Sequence, residues 1–114
     1  MQISGEIIVG ADCASFQNAT AFVYLEDVGS VDAVARRLGS VTLFPVTHQS
    51  GSESRLPFAV TAPRFFDNQG LHDIAVRAHV SLDGEEDVTA RDLVSMEHVR
   101  AMPETIIGVQ VKTV

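Results

Sequence analysis

Between Leu71 and Gly84, Ile74, Val76, Ala78, Val80 and Leu82 alternate with Asp73, Ala75, Arg77, His79 and Ser81. Strand side chains point to opposite faces with a period of two, so this run carries one greasy face and one polar face. Turn-prone Asp67-Asn68-Gln69-Gly70 precedes it and Asp83-Gly84 ends it, the punctuation of an antiparallel strand. The C-terminus repeats the pattern, with Ile107, Val109 and Val111 alternating with Gly108, Gln110 and Lys112. A sheet with one dry face must cover it, and the usual cover is a second sheet.

At 114 residues the chain suits one domain, residues 1–114. A domain of this size buries roughly two-thirds of its unfolded surface and needs no metal or disulfide to fold. Hydrophobic residues make up 46% and charged residues 20%, which argues against disorder. The formal charge of −7 repels phosphate backbones, and the Arg36-Arg37 pair is too small a basic patch to support nucleic-acid binding. The single cysteine, Cys13, excludes an internal disulfide. The apolar runs are a few residues long, far below a membrane span, and no basic region, apolar run and cleavage site open the chain. As written it reads as soluble and without an address, a picture that a removed signal peptide would also leave.

Strands are expected at Ile3–Val9, Thr20–Val28, Val41–Val46, Leu56–Thr61, residues 72–82, Val88–Val94 and Thr105–Val114. Gly5 marks a bulge or kink in the first. In the second, Ala21, Val23 and Leu25 face one side and Phe22, Tyr24 and Glu26 the other. Pro45 and Pro57 call for edge positions or bulges. Ser30 to Gly39 is ambiguous: Ser30 caps and Gly39 terminates a short helix by local rules, yet under three turns it is marginal alone. The whole predicts an all-β fold, a two-sheet antiparallel sandwich of about seven strands, immunoglobulin- or transthyretin-like.

Chemistry is quiet by comparison. The four histidines, His48, His72, His79 and His98, lack the spacing that places two ligands on one metal, so no metal or other cofactor is expected. They read as solvent-facing. The acidic run Asp83–Asp87 lacks the alternate-residue pattern of a calcium loop and reads as a solvated hairpin tip. Nothing near Cys13 activates a thiol, no Gly-x-Ser-x-Gly elbow is present, and no catalytic residue is assigned. Two candidate surfaces remain. Arg64, Phe65 and Phe66, if exposed, make a patch for a partner's apolar side chains; if buried, the pair plugs one end of the sandwich. Tyr24, Arg77 and His79 could instead line a polar, aromatic-edged face for a small molecule or carbohydrate.

Several segments together resemble the YbaY/YscW family, small β-sandwich lipoproteins of the bacterial envelope that include type III secretion pilotins. The likeness rests on the opening strand Ile3-Ser4-Gly5-Glu6-Ile7-Ile8-Val9, the Leu25-Glu26-Asp27-Val28 step, Asp32-Ala33 and Thr42-Leu43. It continues through Leu56-Pro57-Phe58-Ala59-Val60, the long strand Ile74-Ala75-Val76-Arg77-Ala78-His79-Val80 and the closing Ile107-Gly108-Val109-Gln110-Val111. Each motif is short; their order and spacing over nearly the whole chain carry the resemblance. It implies that Val34–Leu43 is extended rather than helical. It also implies a non-catalytic domain that binds protein or peptide through a groove or an open sheet edge and assists an envelope or secretion component. The compartment it implies is the periplasm or the inner face of the outer membrane; without it the chain reads as cytoplasmic. Family members carry a lipid on a cysteine just after a signal peptide, whereas Cys13 follows the first strand and has no apolar run before it. Oligomeric state is left open.

Overall fold

The computed structural model describes residues 2–27, 36–61, 74–97, 99–101 and 105–114, and eight strands among them. These are β1 (Gln2–Val9), β2 (Phe16–Asp27), β3 (Arg36–His48), β4 (Ser54–Thr61), β5 (Ile74–Ser81), β6 (Leu93–Ser95), β7 (Val99–Arg100) and β8 (Ile106–Thr113). None of the described residues is helical, and none therefore forms a helix long and apolar enough to cross a membrane.

The two separate sheets predicted from sequence are not what these strands build. They form one mixed sheet in the order β3-β2-β5-β6-β8-β1-β4, with β7 also on β5, curled until it nearly closes as a barrel. Two features weld the halves together. Strand β8 lies parallel to β1, with Ile7 opposite Val109, and antiparallel to β6, with Leu93 opposite Thr113. The ends of the path then approach each other: a side chain at Gly39 on β3 would come within 2.7 Å of the Thr61 carbonyl on β4. Only a residue without Cβ admits that crossing.

Alternation does place the core. Ile74, Val76, Ala78 and Val80 of β5 pack with Ala21, Val23 and Leu25 of β2, and with Ile3, Ile7 and Val9 of β1. Val109 and Val111 of β8 complete the interior, both 0% exposed. Each fully buried Val, Leu or Ile stabilises the fold by roughly 1.5–3 kcal/mol relative to an exposed one. Leu82, predicted on the same stripe, lies just past the strand and is exposed. Gly5 is neither bulge nor kink. It sits in register between Phe58 and Ile107, where a Cβ would meet the Ile107 carbonyl at 2.4 Å.

Pro45 and Pro57 both fall on the terminal strands of the sheet, and the ladder with β2 shifts register between Ala19 and Ala21, opposite the segment that contains Pro45. Strand β2 begins earlier than predicted, at Phe16, because a register shift between Phe16 and Ala19, with Asn18 at positive φ, lets pairing resume across a polar stretch. Arg36 to Gly39 are extended on β3, against the local helix signal. Pairing with β2 wins where under three helical turns have little to offer. The predicted strand Val88–Val94 shrinks to Leu93–Ser95, and residues before it form a loop across the outside of β5.

Candidate functional site

The outer face of β2, β3 and β5 gathers the polar groups with the most structure around them. Phe22 and Tyr24 project from β2 opposite His79 and Arg77 of β5, in that order. Phe22 and Tyr24 stack with centroids 6.3 Å apart, and Phe22 lies 5.8 Å from the His79 ring. Two guanidiniums lie over the Tyr24 ring, Arg37 at 4.0 Å and Arg77 at 4.7 Å from its centroid. Guanidinium groups favour the electron-rich face of an aromatic ring.

Each cation is matched. Glu26 receives two parallel hydrogen bonds from Arg77, Nε to Oε1 at 3.0 Å and Nη2 to Oε2 at 3.1 Å. Arg37 reaches Glu86 of the overlying loop at 3.8 Å. Burial pushes the Tyr24 phenol above its ordinary pKa; the charge of Glu86 adds to this, while Arg37 and Arg77 oppose it.

The loop is pinned by Asp92. Its Oδ2 lies 2.8 Å from His79 Nε2 and accepts from the Thr89 amide at 3.1 Å, while Oδ1 accepts from the Leu82 amide at 3.0 Å. Its own amide donates to the Thr89 carbonyl, closing a reciprocal Thr-x-x-Asp turn. Burial alone would raise the Asp92 pKa, but the Leu82 amide, the His79 ring and the Thr89 amide together hold it below the ordinary value.

The remaining candidates are separate. His48, 2% exposed, contacts Ser54 Oγ through Nδ1 at 2.7 Å and lies 5.6 Å from the Phe16 ring; its Nε2 has no hydrogen-bond partner among the described residues. Cys13 is buried and borders a cleft of about 290 Å³ with Gln110 and Lys112. Among the described residues His48 Nε2 has no hydrogen bond to that thiol. A second cleft, of about 210 Å³, lies between Phe16, Leu82, Arg91 and Leu93. Among the described residues no three of His, Cys, Asp and Glu converge to hold a metal ion.

With the nearly closed barrel and this covered outer face in place, one likeness is decisive for the fold. The chain is similar to a solved alternative pilotin from the type II secretion system of Vibrio cholerae. The superposition covers 100% of this chain and 96% of the pilotin chain, with a TM-score of 0.71 and 21% sequence identity. No family model matches the chain, and no curated protein matches it. The pilotin part of the predicted resemblance thus finds a counterpart in fold. The more specific YbaY/YscW assignment rests on the short sequence motifs.

Tyr24, Arg77 and His79 lie on one face, where Tyr24 and His79 are buried and the half-exposed Arg77 side chain is paired within the chain. Tyr24 is 3% and His79 1% exposed, and Arg77 is tied to Glu26. The solvent-facing reading of His79 and His48 is corrected: an aromatic neighbour and a polar partner bury each of them. Arg64, Phe65 and Phe66 lie outside the described residues, as do His72 and His98. The acidic tip is exposed as predicted, with Asp83 accepting from Ser81 Oγ and the Glu85 amide. Asp92 was missed. The signal that could have found it is Thr89-x-x-Asp92, a spacing at which a carboxylate can close a turn just before an apolar strand.

Proposed function

We propose that this protein is a non-catalytic helper of a bacterial envelope or secretion component, acting by binding a protein or peptide partner. The observation that carries this reading is the match in fold to a secretion pilotin along the whole chain. The ordered motif resemblance to YbaY/YscW proteins supports it independently, because it was drawn from sequence. The internal engagement of Arg77 with Glu26 and of His79 with Asp92 fits a scaffold whose polar groups hold structure. Tyr24, Arg77 and His79 support the rival ligand-binding reading less well, since their contacts are already made within the chain.

Cross-linking in the native bacterium, with the protein at its natural level, tests the reading. A single envelope or secretion component should dominate the cross-linked species, and deleting the gene should lower that component's abundance or misplace it. Cross-links spread over abundant proteins, with an unchanged envelope on deletion, would contradict it.

A further inference from the structure

We infer that the cleft between the start of β2, the end of β5 and the turn before β6 captures the C-terminal residue of a partner protein, with its apolar side chain in the cleft and its carboxylate on Arg91. This deepens the proposed protein-binding function and rests on it. Phe16, Leu82 and Leu93 are the large apolar groups lining this cleft of about 210 Å³, and Ser15, Arg91 and Thr113 supply its polar groups. A cavity of about 150 Å³ holds a benzene ring, so the cleft suits a single Leu- or Phe-sized side chain rather than the several anchors of a docked helix. Its walls are fixed from within the chain. Asp92 accepts from the Leu82 amide at 3.0 Å, and its carbonyl accepts from the Val114 amide at 2.8 Å. Leu93 pairs with Thr113 across the β6–β8 ladder. On the far side Phe16 lies ring to ring with His48 at 5.6 Å, and Ser15 Oγ accepts from the Ser50 amide at 2.8 Å. A preformed cleft loses little ordering entropy when a ligand enters.

Charge selects the occupant. Arg37, Arg55 and Arg77 each reach a carboxylate of the chain, whereas the exposed Arg91 has no ion pair among the described residues. Its φ of 77° lies in the left-handed region that a side chain other than glycine rarely adopts, and such backbone concentrates at binding sites. The net charge of −7, with four acids between Asp83 and Asp87 a few residues away, repels a strongly acidic segment. A lone carboxylate that arrives with an apolar group meets far less of that repulsion. A chain terminus carries both on one Cα, and only one end of its backbone has to leave the cleft.

An NMR titration of the isotope-labelled protein with an acetylated Gly-Ser-Gly-Phe peptide, carried to millimolar concentration, tests this without knowledge of the natural partner. Shifts should centre on Phe16, Leu82, Arg91 and Thr113. Amidating the peptide's C-terminus should weaken binding by about tenfold, the loss of one charge-assisted contact. Replacing its terminal Phe by Gly should weaken binding by about tenfold or more. Leu82→Ser, at the exposed end of one wall, should weaken it by roughly fivefold. Arg91→Gly should match the loss seen with the amide while the melting temperature stays near that of the unaltered protein, because glycine adopts the left-handed backbone freely. The comparison of acid with amide needs no variant and so stands whatever a substitution does to the fold. Full-strength binding of the amide, of an amidated peptide whose one carboxylate is an internal Asp, or of the acid to Arg91→Gly overturns the assignment. Tighter binding of hydrocinnamate than of the peptide makes a free small acid the occupant and overturns it as well. Absence of shifts at the cleft does the same. Each of these results leaves the protein-binding reading to the cross-linking test.

Discussion

His79 and Asp92 meet at 2.8 Å in the interior, each side chain 1% exposed, and tie the long loop after β5 to the outer face of that strand. The pair turns what would be the wet side of β5 into a second buried layer. Removing one partner leaves a polar group stranded where water cannot reach it.

Asp92→Ala should therefore destabilise the protein by about 3–5 kcal/mol, the usual cost of breaking a buried pair from one side. Urea unfolding at neutral pH measures it. A loss under about 1 kcal/mol would show that the loop is not held by this carboxylate.

Acid should undo the same anchor. The folded-state pKa of Asp92 lies below its ordinary value, so its contribution to stability is complete above about pH 4, the unfolded value. It is lost as pH falls through the folded value. Melting temperatures recorded downwards from pH 5 should drop less steeply for Asp92→Asn than for the unaltered protein, though the variant starts lower at neutral pH.

Tyr24 offers a direct electrostatic readout, because it is the chain's single tyrosine and its ionisation can be followed by ultraviolet absorbance. The midpoint should lie above 10.0. Glu86→Gln removes a negative neighbour and should lower it; Arg37→Gln removes a positive one and should raise it. Shifts in the opposite sense would contradict the Arg-Tyr-Arg arrangement.

Gly5 should not accept even alanine. A methyl group there would meet the Ile107 carbonyl at 2.4 Å and the Phe58 ring at 2.8 Å, wedging β1 away from both neighbours. Overpacking typically costs about 1–3 kcal/mol, and backbone on the opposing side should place this site at the upper end. Chemical denaturation of Gly5→Ala checks it.

The partner patch proposed from sequence is tested by Phe65→Ser/Phe66→Ser, read by native cross-linking together with the thermal melt. Loss of the cross-linked partner at unchanged melting temperature supports a docking role for the pair. A lowered melting temperature with retained cross-links assigns them to the interior.

Residues whose role is decided by period and edge chemistry were readable from sequence. Ile74, Val76, Ala78 and Val80 follow the core stripe, and Pro45 and Pro57 mark the terminal strands. Pairing partners were not readable, since alternation says which face is dry but not which strand lies alongside. That is why a sandwich was predicted where the parallel β1–β8 ladder joins everything into one curled sheet. Arg36 to Gly39 followed tertiary pairing over local helix signals. The outer site was half legible: Tyr24, Arg77 and His79 share a face as alternation requires. Burial of His79 depends on Asp92, thirteen residues away across a loop, and no local rule reports that contact.

The proposed function has this fold hold a protein partner in the bacterial envelope. Quantitative cross-linking of the natural-level protein in its own bacterium, before and after deletion of the leading cross-linked component, tests it most directly. One dominant envelope or secretion component should be captured, its cross-link vanishing on deletion and returning with complementation. A diffuse cross-linking pattern that does not change on deletion would contradict it.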